Sequence, residues 1–312
     1  MFLQRVVKEK MQIVLLELGL ICWELLFLLD YKEKMTMAKV AEYIKQVEID
    51  SLWSGRKHIL WSLRPGVNIL SGVNGVGKST ILSNMEKALR KKANPSEYEN
   101  GDFPGVRVTF EPDDSTMAYF DIIRSFDNTL LSSSIVDKVA DGRIRSELDW
   151  SLYELQRRYL NYQVDVANRM IALLSSTDAS ARDAAMDVSK RKTQFQDMVD
   201  SLFKDTQKKI DRNCNVLQFI QYDERLSPYQ LSSGEKQLLV ILLTVLLEDN
   251  KPYVLLMDEP EISLHVEWQQ KLVNIICALN PHAQIILTTH SPAVIMNGWM
   301  DAVTDVADIE VK

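Results

Sequence analysis

The chain has 312 residues, 46% apolar and 25% charged. That mix is ordinary for a globular protein, and the length suffices for one large domain or two small ones with a sizeable core. Its formal charge of −7 removes any global electrostatic case for a nucleic-acid partner and leaves room only for a local basic stripe. Cys22, Cys214 and Cys277 are isolated with no CxxC pair, so neither a disulfide framework nor a zinc site is expected and a reducing cytoplasm fits best.

Residues 1–36 stand apart. Gln12–Leu29 is a strongly apolar run behind Arg5, Lys8 and Lys10, superficially like a signal or membrane segment. Glu17 and Glu24 would lie deep in hydrocarbon at a cost of roughly 2–3 kcal/mol each, and no small-residue cleavage site follows. An amphipathic helix and a translated but non-native upstream region are the alternatives, with Met35 or Met37 as candidate starts beside Met1.

From Val47 onward the order of elements reads as α/β. Val47–Leu52 and His58–Leu63 are expected as short strands, Gly66–Leu70 as a buried strand and Thr80–Arg90 as the helix behind it. Val106–Phe110 and Met117–Ile123 add further strands. After Asp149 the period turns helical: Trp150, Leu152, Leu155, Tyr159, Tyr162, Val166, Met170 and Leu173 recur mostly at three- and four-residue steps. Ser175–Ser180 breaks the pattern, and a more charged helical stretch from Ala181 to Arg212 completes a hairpin. Each arm would span roughly 40 Å at ~1.5 Å per residue, a lever or docking arm unless it packs on the head. Its basic residues, Lys190, Arg191, Lys192, Lys204, Lys208, Lys209 and Arg212, are nearly cancelled by Asp183, Asp187, Asp197, Asp200, Asp205 and Asp211, so a solvated face is expected.

Three motifs carry chemistry. Gly72-Val-Asn-Gly-Val-Gly-Lys-Ser79 follows a strand and opens a helix, the context a phosphate loop requires. Its glycines, Gly72, Gly75 and Gly77, let the backbone curl so that amide N–H groups and the helix N-terminus face phosphates. The expected nucleotide contacts are Gly72, Asn74, Gly75, Val76, Gly77, Lys78, Ser79 and Thr80, with Lys78 on the β- and γ-phosphates and the Ser79 hydroxyl on Mg²⁺. Tyr253–Asp258 is an apolar run ending in two acids, as a strand buried on both faces would be. Asp258 is assigned to Mg²⁺ through water and Glu259 to the attacking water as general base. Ile285–His290, followed by Ser-Pro, is a further buried strand ending in histidine, with His290 a candidate partner for the γ-phosphate or the water. His265 belongs either to a subunit seam or to packing and capping.

Motifs in this order resemble an ABC-type ATPase over Ala38–Val303. Within that superfamily the chain resembles the soluble SMC/RecF/OLD-like (AAA_21-type) branch, on Leu231-Ser-Ser-Gly-Glu-Lys-Gln237, Asp258-Glu-Pro-Glu-Ile-Ser-Leu-His265 and Thr289-His-Ser-Pro292. The resemblance implies a P-loop NTPase head, mostly parallel in its central sheet with an antiparallel β lobe and an inserted helical hairpin. The divisions expected are 1–36, an extension; 37–148, the N-terminal lobe; 149–212, the hairpin; and 213–312, the C-terminal lobe. It implies ATP and Mg²⁺ as ligands, and a second copy of the chain whose Ser232, Ser233, Gly234 and Glu235 complete each site. Ser233 stands where a glycine is commoner. The family's glutamine-bearing loop is missing, since no glutamine occurs from Lys91 to Leu155; Asp127 or Asn128 would serve instead. Only 22 residues follow His290, too few for the nuclease domain of full-length OLD proteins, so the resemblance implies that a separate effector, a nuclease or toxin, delivers the output in phage defence or DNA maintenance. Direct action on DNA and a transporter's nucleotide subunit are the alternatives.

Overall fold

The structure, a computed structural model, describes residues 39–53, 55–93, 105–124, 144–176 and 180–311. The expected extension at 1–36, Met35 and Met37, and the loop candidates Asp127 and Asn128 lie outside the described residues. In chain order the elements are β1 (Tyr43–Leu52), β2 (Lys57–Ser62), β3 (Val67–Ser71), α1 (Lys78–Ala93), β4 (Val106–Glu111), β5 (Phe120–Arg124), α2 (Glu147–Leu174), α3 (Ala181–Leu202), β6 (Lys209–Ile210), β7 (Phe219–Gln221) and β8 (Glu224–Leu226). They continue as α4 (Ser233–Leu247), β9 (Tyr253–Asp258), α5 (Val266–Leu279), β10 (Ala283–Thr288), α6 (Pro292–Met296), β11 (Val303–Asp305) and β12 (Glu310–Val311).

The fold is α/β. Its central sheet is parallel in the order β11-β3-β10-β9-β5, and a separate antiparallel sheet runs β12-β2-β1-β4. The middle strands are the apolar runs of the sequence: Val254–Met257 and Ile285–Leu287 are at most 1% exposed, because helices cover both faces of a parallel sheet. The two sheets are tied by Gln284, fully buried, which accepts from Ile44 N and donates to Ile44 O and Arg64 O, each at 2.8 Å. A buried amide with all these bonds made fixes one relative placement of the sheets.

The helical hairpin departs from the expectation of a free arm. On α2, Leu148, Leu152, Leu155, Tyr159, Tyr162 and Val166 are buried and join one apolar cluster with Leu239, Leu243 and Leu246 of α4. The 4-3-4-3-4 spacing lays one stripe along the head, the way packed helices bury a seam. At its root, Lys236 of α4 donates to Asp149 of α2 at 2.8 Å, and Asp149 is 4% exposed. The second arm also stops earlier than Arg212. Phe203, 1% exposed, packs against Phe219 and Trp268, Gln207 takes a left-handed φ of 54°, and Lys209–Ile210 pairs antiparallel with Phe219–Ile220. Asp200 holds that reversal by accepting from Ile210 N at 2.7 Å. Three-residue strands are too short to announce themselves by period.

Candidate nucleotide site

The carboxyl ends of β3, β9 and β10 meet at one edge of the parallel sheet, where α/β folds place ligands. There a cavity of about 580 Å³ is lined by Trp53, Asn74, Gly75, Gly77, Lys78, Ser79, Thr80, Glu259 and His290, a volume suited to one small-molecule ligand. The phosphate-loop glycines take positive φ, and at Gly77 (φ 105°) a Cβ would meet the Trp53 ring at 2.9 Å, so only glycine admits both the turn and the indole.

Lys78 opens α1 and is 4% exposed. Its Nζ donates to the carbonyls of Gly72 at 3.0 Å and Val73 at 3.3 Å, and lies 2.7 Å from His290 Nε2. Burial lowers the Lys78 pKa, a shift that Glu259 and Asp258 only partly oppose. The first turn of α1 carries no acidic residue, leaving the positive end of the helix dipole open to phosphate.

Ser79 Oγ donates to Asp258 Oδ1 at 3.0 Å. Both are oxygen donors, the hard set that suits Mg²⁺. Asp258 ends β9 in register with Thr288 at the end of β10. The Thr288 hydroxyl donates to Asp258 Oδ1 at 2.5 Å and accepts from Glu259 N at 3.1 Å. These bonds hold Glu259 at a left-handed φ of 46°, a conformation that costs on the order of 1 kcal/mol without such support. The turn brings the Glu259 carboxylate to 3.1 Å from His290 Nε2. One imidazole nitrogen thus stands between an ammonium and a carboxylate, accepting from one or donating to the other according to tautomer. The predicted residues Lys78, Ser79, Asp258, Glu259 and His290 are therefore brought together.

The signature residues are not part of that cavity. Ser232 caps α4: its hydroxyl accepts from Glu235 N at 3.4 Å, and Glu235 accepts in return from Ser232 N and Oγ, both at 2.9 Å, a capping box. Glu235 is 1% exposed, with its other oxygen taking Thr206 Oγ1 at 2.9 Å and Lys208 Nζ at 2.8 Å; these local partners hold its pKa down against burial. Its side chain faces inward, whereas Ser232 and Ser233 are exposed. At Gly234 a Cβ would lie 2.4 Å from the backbone oxygen of Ser263, so the signature turn rests directly on the segment after β9. His265 is exposed and stands at the N-cap of α5 without a side-chain cap bond.

Sequence reasoning missed three residues. Trp53, 41% exposed, offers an aromatic face at the cavity with Lys57 Nζ 5.6 Å from its ring centroid. Glu261 and Gln269 brace the loop that carries His290. Glu261 had a signal, an acid two positions beyond Glu259; Trp53 had none, because only the fold sets it beside Gly77. Arg124 ends β5 in register with Asp258 and pairs with Glu86 of α1. Of the hairpin's basic residues, Lys190 pairs with Asp187 at 2.6 Å, and Arg212 with Asp197 and Asp200 at 2.6 and 2.8 Å. Among the described residues no helix is long and apolar enough to cross a membrane.

A family model described as "AAA domain, putative AbiEii toxin, Type IV TA system" matches residues 191–297. The chain is similar to the Septu protein PtuA of Bacillus thuringiensis, 26% identical over 294 residues that cover 80% of this chain and 72% of that protein. It is also similar to the Retron Vc95 probable ATPase of Vibrio cholerae serotype O1 biovar El Tor, 29% identical over 118 residues, 34% of this chain and 23% of that one. The solved SMC head domain from Thermotoga maritima aligns over 81% of this chain and 91% of its own at 15% identity and a TM-score of 0.41. With the phosphate loop, the acidic strand end and His290 gathered on one cavity and the signature on its own capped helix, the chain is similar to P-loop ATPases of the SMC/RecF/OLD-like kind and to the named defence-system proteins.

Proposed function

We propose that the chain binds ATP with Mg²⁺ in this cavity and hydrolyses it, that two copies sandwich each nucleotide, and that the closed pair controls a separate effector protein in anti-phage defence. Lys78 and the loop amides hold the phosphates, Ser79 and Asp258 hold the cation, and Glu259 takes the proton of the attacking water. A cation held by Ser79 and Asp258 would supply charge neutralisation for the phosphates. His290, between Lys78 and Glu259, contacts the water or the γ-phosphate. Trp53 stacks on the base.

The observation that carries the pairing is the position of the signature. Ser232 and Ser233 are exposed at a helix N-terminus and are absent from the lining of their own chain's cavity, so the Ser233 hydroxyl at the start of α4 is available to a γ-phosphate bound by another copy. ATP then favours the closed pair because only that state completes its contacts. The effector and the defence setting rest on the relatives named for Septu and retron systems.

The test uses the Glu259→Gln protein, coexpressed with its genomic neighbours. Mass measured with and without Mg-ATP is expected to double on adding nucleotide, with a soluble effector retained in the complex. A monomer saturated with ATP would remove the sandwich, and capture of a membrane permease would replace effector control with transport.

A further inference from the structure

His290 sits in a stretch that the sheet does not hold. Strand β10 ends at Thr288, and Thr289 N reaches Leu70 O only at 3.4 Å. What fixes residues 289–291 instead centres on one carboxylate, with Ser291 N also donating to Thr289 Oγ1 at 2.9 Å. Glu261 Oε1 accepts from the Thr289 hydroxyl, from His290 N at 3.1 Å and from Ser291 N at 3.3 Å. Glu261 is 6% exposed, and its second oxygen, Oε2, is buried with no hydrogen-bond partner among the described residues. A buried carboxylate with one oxygen left bare is costly unless the other gains strongly, and charge-assisted bonds from backbone amides are the means. Gln269 braces the same two segments: its Nε2 donates to Leu264 O at 2.9 Å and its Oε1 accepts from Ser291 Oγ at 2.7 Å.

We propose that Glu261 is a positioning residue for ATP hydrolysis, whose carboxylate clamps the backbone at 289–291 and so sets the His290 imidazole against Glu259 and the phosphate. The assignment rests on the hydrolytic reading above. It explains why an acid is needed. A glutamine has one acceptor oxygen with less charge for three donors, and its amide N–H₂ would take either the bare Oε2 position or a place facing those donors.

The experiment compares Glu261→Gln, His290→Ala and the double variant in the full chain. In single turnover, Glu261→Gln is expected to slow hydrolysis by about 10- to 100-fold, the scale of a small misplacement of a reacting group, while ATP affinity stays within about 2-fold, so the loss falls on kcat and not on KM. The double variant is expected to be no slower than His290→Ala, because both remove the same contribution. Losses that multiply, or an affinity loss matching the rate loss, overturn the proposal. Thr289→Val, which removes one donor, is expected to give a smaller loss with the same non-additivity and serves if Glu261→Gln does not fold. Histidine NMR separates this idea from the hydrolytic reading, since it needs no turnover. The chain has 4 histidines, and Glu261→Gln is expected to move the ring resonances of His290 while leaving His58, His265 and His282 in place; unmoved His290 signals overturn it even in an active enzyme.

Discussion

Lys78 and Ser232 stand at the starts of two helices, α1 and α4, and the two starts are finished in opposite ways. At α1 the first turn has no acid and the lysine folds back over the loop carbonyls, while Asp258, Glu259 and His290 converge on it from neighbouring strands. At α4 the first turn holds Glu235, which closes on Ser232 and is itself met by Lys208, and the exposed serines lie outside the lining of their own chain's cavity. One start is met by side chains of its own chain; the other is a locally satisfied cap that leaves Ser233 exposed. The contrast teaches what the proposed function needs: one helix start gathers its partners from its own chain, and the other leaves Ser233 exposed at a capped N-terminus.

Breaking the built half has the largest effect. Glu259→Gln is expected to lower hydrolysis by at least about 10²-fold with little change in melting temperature, as followed by phosphate release and calorimetry. The far end of α4 supplies a control that leaves both helix starts alone. Glu248 is 2% exposed, and burial raises its carboxyl to about 8, with one Asn280 hydrogen bond opposing the shift. A carboxyl raised in the folded state stabilises fully below its unfolded value, near 4.5, and that stability is lost as pH rises through about 8. Denaturant titrations from pH 5 to 9 are therefore expected to show the wild type losing up to a few kcal/mol, on the order of 1.4 per pH unit, and Glu248→Gln staying flat.

Gly234→Ala attacks the presented half. With the Ser263 carbonyl in the way, the strain is expected to be about 1–3 kcal/mol, enough to abolish ATP-dependent pairing in mass photometry while ATP affinity of the single chain holds within about 2-fold, since the cavity is intact. Equal loss of affinity would show the two halves to be one site. Trp53→Ala sharpens the other side: loss of one stacking surface is expected to weaken ATP binding by about 1–3 kcal/mol and to weaken pyrophosphate binding hardly at all, as titration calorimetry would register.

What the sequence disclosed followed from how locally each feature is encoded. Val254–Met257 and Ile285–Leu287 announce a doubly covered parallel sheet because burial on both faces leaves no room for alternation, and the phosphate loop declares itself by its glycines. The hairpin was visible as a period, but its packing was not, because α2 carries its buried seam and its exposed residues on one continuous helix. The charged stretch from Ala181 reads as helical to Arg212; Phe203 ends that helix by entering the core beside Phe219 and Trp268, a contact between residues far apart in sequence. Trp53 and Thr288 act through neighbours that only the fold supplies, so no spacing reveals their part; Glu261 is visible as a second acid beyond Glu259, but not the backbone it braces.

The contact between Gly234 and Ser263 has one more consequence. Ser263 holds a left-handed φ of 74° in the stretch that begins with Asp258 and Glu259, and its carbonyl leaves no space at Gly234 for even a methyl group. In a sandwiched pair, the surface that reads the neighbour's nucleotide and the stretch that acts on the chain's own nucleotide would therefore shift as one rigid piece. Under the proposed pairing, a single backbone contact would stand between the two ATP molecules that one chain touches.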